Sequence, residues 1–526
     1  MRLVVVATAA VALLAVLPAG AASRPAPPAL ILQGLSSAVS AGRLTPDEAA
    51  GYRQDVARAQ AASKRLPKLR ARVLATVLAD VAALHGSYTK PRALSLFSTL
   101  AVNTDWLASH AVGGSHPDIA GPDGAVYRWF WSHGYVFHPL ANMAKLNSLA
   151  SAGDVEGTEK MAAALLARGI RSHGALVWEY DFPFASGHAP WTSGMAQAVA
   201  AQAFAHAGDL LSDGSLLDAA DAAYAAVPSL LSGSSPAKPW IALYSFDRAP
   251  VLNAQLQAAL SVGDYAAISG DPAADAMAKR LTAAARELLP RFDTGSWSLY
   301  SLRGGESPRD YHDYVIALLR KLAVRTGDAT WRATADRFQA YETEPPTIRP
   351  GAPAPTLYPR PADGFRDAAA IRFWLSTRAS VTLRIGKSAI SARLGRGEHT
   401  LVWSATKAAP GTYHPRLAAV GGYSGKTTTE TLPPLTVARI PGPPPLAVTV
   451  TAPAVISWSS TAPGTPWLHL QLRLSQSGAA KTVDLGRRKL AGTRHLHLPP
   501  GRWHATLSAT NSAGKTRSVS LGYLPR

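Results

Sequence analysis

Cysteine is absent from all 526 positions of the chain, and its absence removes several kinds of chemistry at once. No disulfide, thiolate metal site, cysteine nucleophile or lipid-modified cysteine anchor can be built. Other signatures are missing too: there is no HExxH spacing, no P-loop and no GxGxxG entering a helix. No cofactor is therefore expected, and no metal-ligand set is readable. The "DTGS" at 293–296 has the letters of an aspartic protease motif. That motif belongs in a duplicated β-fold, and here helical stretches flank it. "SGMAQ" lacks the Gly-x-Ser-x-Gly frame of a nucleophile elbow.

Long apolar runs are scarce as well. The one near the start, "MRLVVVATAAVALLAVLPAGAASRP", is short for a membrane span. Arg2, the apolar stretch and the small residues before Ala22 instead read as a signal peptide over 1–22. The expectation is a secreted, bacterial-type protein with no span in the mature chain. A retained N-terminal anchor is the alternative.

Acidic residues are rare in the C-terminal third. Residues 364–526 hold 21 Lys and Arg against 4 Asp and Glu, a net of +17 out of +19 for the whole chain. Such a surface attracts polyanions in a salt-dependent way, and contact with a cell-surface polyanion is one expectation. An Arg-rich solvated face is the plainer one.

What is present divides the chain. Hydrophobic residues make up 47% of it, enough for a large core, and the length calls for more than one domain. Residues 29–343 read as helices in up-down order. Thr45 is placed as an N-cap before Pro46 and two acids. Ala- and Leu-rich stretches follow near 70–85, 139–152, 157–168, 194–208, 215–226, 251–263, 272–288, 310–326 and 329–341, with no strand pattern of any length between them. Paired helices with aromatic-rich loops suit an all-α (α/α) barrel or toroid around a cleft.

Residues 344–363 carry seven prolines and read as a stiff linker or a segment strapped to a surface. Short β-type runs with turn signals then fill 364–440 and, past "PGPPP" at 441–445, 446–526. They suit two small all-β sandwiches. The last resembles the closing strands of fibronectin type III modules. The first resembles the Ig-like modules of secreted bacterial enzymes.

Four segments of the helical region concentrate polar-tipped aromatics at loop–helix junctions, where an apolar core has little use for them. Trp and Tyr beside polar donors suit a saccharide. In order, "APWTSGMAQA", "LYSFDRAPVLNAQLQAALSVGDY", "LPRFDTGSWSLYSLR" and "YHDYV" resemble the catalytic C-terminal domain of the D-glucuronyl C5-epimerases. That family's pattern runs "PPWxSGMAQG", "EYP…VLNGxxxxLxGLYDY", "LPxYDTGxWSxYDLR", "YHxxH". The likeness spans about 125–340.

The resemblance implies inversion at C5 of glucuronate within a heparosan- or heparan-type acidic polysaccharide, without chain cleavage. Such a reaction needs a base, an acid on the opposite face, and a cation on the carboxylate that takes up charge. By motif, Tyr300 and Tyr311 take proton transfer with Tyr244 supporting, and Arg303 takes the carboxylate. A tyrosine can act as acid or base when a nearby cation lowers its pKa from about 10. Trp191, Gln197, Asn253, His312 and Trp297 would line the sugar subsites, with Gly194 permitting close approach.

Three positions depart from the family. Leu243 stands where the family has glutamate, Ser301 where it has aspartate, and Val315 where it has the second histidine. Glu179 is the acid available to compensate for Leu243. Two further readings stay open: a polysaccharide lyase that begins with the same proton abstraction, and a non-catalytic polysaccharide-binding protein. The partner expected in every case is an acidic polysaccharide rather than nucleic acid, and a homodimer would fit the family.

Overall fold

The computed structural model describes residues 26–233 and 238–524; the proposed signal peptide, 1–22, lies outside them. The chain forms two compact units. One holds the residues up to Pro290 together with Ser301–Arg303, and the other Arg291–Tyr300 together with Gly304 onward.

Among its described residues the first unit has ten α-helices: α1 (Pro27–Ser40), α2 (Pro46–Ser63), α3 (Lys68–Ala83), α4 (Lys90–Ser109), α5 (Pro139–Ser151), α6 (Val155–Leu166), α7 (Gly194–Leu211), α8 (Gly214–Tyr224), α9 (Leu252–Ser269) and α10 (Pro272–Leu288). Thr45 caps α2 as expected. Its Oγ1 accepts from Glu48 N at 3.1 Å while Glu48 Oε2 accepts from Thr45 N at 2.8 Å, a complete capping box.

Composition sorts the later helices into two roles. In α7, 14 of 18 residues are buried, and in α9 the burial also runs around the helix. Their small residues let neighbours approach from every side. On α10 only Ala274, Met277, Ala278, Leu281, Ala284 and Ala285 are buried, a single stripe at helical spacing. Accordingly α5, α7 and α9 lie side by side, with α6 packed against α5 and α7, α8 chiefly against α7, and α10 against α9.

A short antiparallel sheet of Ile119–Ala120, Val126–Phe130 and Gly134–Phe137 interrupts the helices. It escaped the sequence reading because it has no alternation: all of Gly134–Phe137 is buried. No helix among the described residues is long and apolar enough to cross a membrane.

The second unit begins with α11 (Arg309–Thr326) and α12 (Ala329–Tyr341), so the expected boundary at 343 does not divide the units. Tyr423, from the first β module, stacks on Trp297 at 4.2 Å, and Arg309 donates to the Tyr423 carbonyl. Nor is 344–363 a linker. Ile348–Pro350 pairs with Ala368–Leu375 as an edge strand, and Leu357 bridges to Val437. Both Ile348 and Leu357 sit in the β core. The prolines fall where no ladder hydrogen bond is needed, which is what an edge tolerates.

That core lies between a four-stranded sheet, centred on Ala379–Ile385, and a three-stranded one centred on Ala368–Leu375. The last module repeats the plan with Leu468–Gln476, which buries Leu468, Leu470, Leu472 and Leu474 on alternate positions. The period of two expected of half-buried strands is evident in both.

Candidate active site

The segment 189–198 is a structural joint. Trp191 pairs with Tyr180 through both backbone groups, and the two rings stack at 4.0 Å with 2° between their planes. Trp191 Nε1 donates to Phe182 O at 2.8 Å, and the ring is only 5% exposed. The stacking face expected for a sugar is therefore already covered by Tyr180.

Gly194 does need close approach, but to protein. A Cβ there would meet Ala242 O and Ile241 Cγ1 at 2.7 Å, and Gly194 N donates to Ala242 O at 3.0 Å. Ser245 locks the same joint, its Oγ accepting from Thr192 N and its N donating to Thr192 O. Residues 191–194 thereby carry 241–246 alongside them. This brings Tyr244 edge-on to Trp191 at 5.5 Å and parallel to Phe246 at 5.3 Å.

Gln197 is also committed. Its Oε1 accepts from Trp178 N at 3.2 Å, and its Nε2 donates to Leu176 O at 2.9 Å. It is the fourth residue of α7, and the fourth residue of three other helices acts alike. Asn142 of α5 ties both backbone groups of Val126. Gln255 of α9 accepts from Ile241 N and donates to Pro239 O and Leu281 O. In the second unit His312 of α11 bonds Ser298 Oγ at 2.7 Å and Phe338 O at 2.9 Å.

Each of these side chains satisfies polar groups of the preceding loop that would otherwise be buried without partners. Gln197 and His312 were expected at sugar subsites; the repeat explains them as ties between loop and helix. Asn253, also expected there, is 4% exposed in the first turn of α9. Trp297 is sandwiched between His312 at 3.6 Å and Tyr423, with Nε1 donating to Ser307 O. It too offers no open face.

Glu179 does not stand in for the missing carboxylate. Arg92 of α4 grips both its oxygens, at 2.8 and 3.0 Å. Asp181 beside it is half-buried with Oδ1 shut off from solvent, and this desolvation pushes its carboxyl well above the usual range, with Glu179 adding to the effect and Arg92 opposing it.

Four residues remain as reactive candidates. In the first unit, Leu302 N donates to Pro250 O and Ser301 bridges Val251, which sets Arg303 beside the turn containing Tyr244. Its guanidinium is 72% exposed and lies 4.0 Å from Asp247 Oδ1. Asp247 bridges Tyr244 across that turn. Leu243 is buried, so the side chain at the family's glutamate position takes part in packing.

Asp247 is the carboxylate that the sequence reading passed over. The available signal was its place three residues after Tyr244 in "YSFD". In the second unit Tyr300 and Tyr311 meet edge to face at 5.1 Å, and Tyr311 is 38% exposed.

Residues 172–340 match the family described as the D-glucuronyl C5-epimerase C-terminus. No curated protein matches the chain. Among solved structures it is similar to a GH76 α-mannanase of Bacteroides thetaiotaomicron, with 12% identity over 39% of this chain and 59% of that one, TM-score 0.29. It is also similar to an endo-β-1,4-glucanase of Acetobacter xylinum, at 16% over 34% and 55%, TM-score 0.26. Fibronectin type III-like modules of Clostridium thermocellum match at 12% over 34% and 94%, TM-score 0.17. The chain thus spans less than two thirds of the length of the first two.

Proposed function

We propose that the protein is a secreted C5-epimerase-like enzyme acting on glucuronate within an acidic polysaccharide of heparosan or heparan type. The family match over 172–340 carries this reading. The turn that groups Tyr244, Asp247 and the exposed Arg303 supports it. The side-by-side helices α5, α7 and α9, each backed by a partner, fit the (α/α) toroid expected of the catalytic domain.

In this reading Arg303 binds the uronate carboxylate as a two-pronged donor. A base takes the C5 proton, and the electron pair moves into the carboxylate, where the guanidinium stabilises it. An acid on the other face returns a proton to C5, so no bond of the chain breaks. Tyr244 takes one of these steps, with Asp247 as the nearest acid of its turn.

Leu243 favours one further reading. Without the family carboxylate, a carbanion at C5 that is not reprotonated expels the 4-O-linked sugar and leaves an unsaturated end. The test is Tyr244→Phe. Loss of a positioned acid–base group is expected to slow C5 hydrogen exchange by about 10²–10⁴-fold. An unchanged rate would remove Tyr244 from the mechanism.

A further inference from the structure

A cavity of the second unit lies between the end of the third motif and the first β module. It encloses about 720 Å³, within the rough range of 300–1,000 Å³ usual for ligand sites. One wall is the hairpin that follows Tyr300. The other is the edge of the first β module, at the start of Ala379–Ile385, the turn after Ser388–Leu394 and the residues after Arg416–Gly421.

Three guanidiniums line it: Arg378, Arg393 and Arg396. Among the described residues none of them is held in an ion pair. Arg393 and Arg396 are exposed. Arg378 is held in place by its surroundings. Its stem passes over Gly422, where a Cβ would meet Arg378 Cγ at 2.8 Å, and its guanidinium lies 5.4 Å from the Tyr423 ring centre. Gly422 N donates to Arg378 O at 2.8 Å.

The cavity also holds one acid. Glu306 Oε2 accepts from Arg378 N at 3.1 Å, while Oε1 is buried with no hydrogen-bond partner. A buried acceptor without a partner is costly, so a ligand hydroxyl donating to it would be favoured. Burial raises the pKa of Glu306, opposed first by the Thr377 hydroxyl, then by the Arg378 backbone N–H and the Arg396 and Arg378 guanidiniums.

We propose that this cleft is a subsite for an anionic polysaccharide, with Arg378, Arg393 and Arg396 receiving a uronate carboxylate and Glu306 Oε1 accepting a neighbouring sugar hydroxyl. Planar forks match carboxylates two bonds at a time. The paired demand for an anion and a hydroxyl donor separates a uronate polymer from DNA, whose sugar–phosphate backbone brings charge without that donor. The choice of polymer rests on the function proposed above; the anion-plus-hydroxyl chemistry does not.

Binding of a heparosan octasaccharide to the full chain tests it, by calorimetry at two salt concentrations. Arg393→Gln/Arg396→Gln is expected to weaken binding by about tenfold, as loss of two charge-assisted contacts would. Arg473→Gln/Arg517→Gln, which removes the same charge from exposed strands of the last module, is expected to change it less than about twofold. Reducing the octasaccharide's carboxylates to alcohols should abolish the difference between the two variants.

Equal effects of both variants, no effect of either, undiminished binding of the reduced sugar, or tighter binding of single-stranded DNA of equal charge would each overturn the subsite. Loss of C5 exchange with these affinities intact would instead overturn the enzymatic reading alone.

Discussion

Side chains that the family pattern marks together separate into two groups once their partners are counted. Trp191, Gln197, His312 and Trp297 are consumed by the fold, whereas Arg303 and Tyr311 face solvent. Gln197→Leu is accordingly expected to cost about 1–3 kcal/mol in denaturant unfolding, because Trp178 N and Leu176 O lose their buried partner. KM should stay unchanged in the surviving folded protein. A raised KM at full stability would return Gln197 to the substrate. Arg303→Ala should do the opposite, lowering kcat/KM on a uronate polymer by about tenfold or more while the melting temperature holds, since so exposed a side chain contributes little to folding. The identities of these residues were legible from sequence, but their roles were not. A motif records which residues recur, and a tie to a loop recurs as faithfully as a contact to a ligand. Distinguishing them required the partners of Gln197 Oε1 and Nε2.

Among elements, helices were the most legible. The Ala- and Leu-rich stretches read from periodicity coincide with α5 to α12 to within a few residues, because burial on one or all faces leaves a regular signature. The sheet at 119–137 and the strand Ile348–Pro350 were missed for a common reason. One is buried without alternation, and the other hides among prolines at an edge. The first of these shapes a pH response. His138 caps α5, its Nδ1 accepting from Ala141 N at 3.0 Å, and burial, then the Arg128 guanidinium, push its pKa down to about 3. The unfolded chain takes up this proton near pH 6.5 and the folded chain does not. The stability it contributes is thus whole above about pH 6.5 and is lost as pH falls toward 3. His138→Asn keeps a capping acceptor and cannot titrate. Its melting temperature should fall less than the wild type's between pH 6.5 and 4; parallel curves would exclude His138 as the source.

At the scale of the whole molecule, the change from helix to strand near 344 was plain in the sequence, and the division into units was not. Composition changes where secondary structure changes, yet α11 and α12 share a unit with the β modules. Stacking of Tyr423 on Trp297 and the hydrogen bond from Arg309 to Tyr423 O join them. A chain ending at 343 is therefore expected to lose cooperative melting of α11 and α12, since Trp297 loses the face that Tyr423 covers and Arg309 loses the Tyr423 carbonyl. A chain ending at 441 keeps that first β core complete and should hold those helices as the full chain does. Equal melting of the two would mean that the β module contributes nothing to the helices.

The central claim is proton exchange at C5 without chain cleavage, and it is tested most directly by incubating the full chain with heparosan in deuterated water and following the polymer by NMR. The account predicts deuterium at C5 of the uronate, with iduronate signals growing in and no unsaturated ends. Unsaturated ends, or a polymer that binds yet keeps its C5 protons indefinitely, would contradict it.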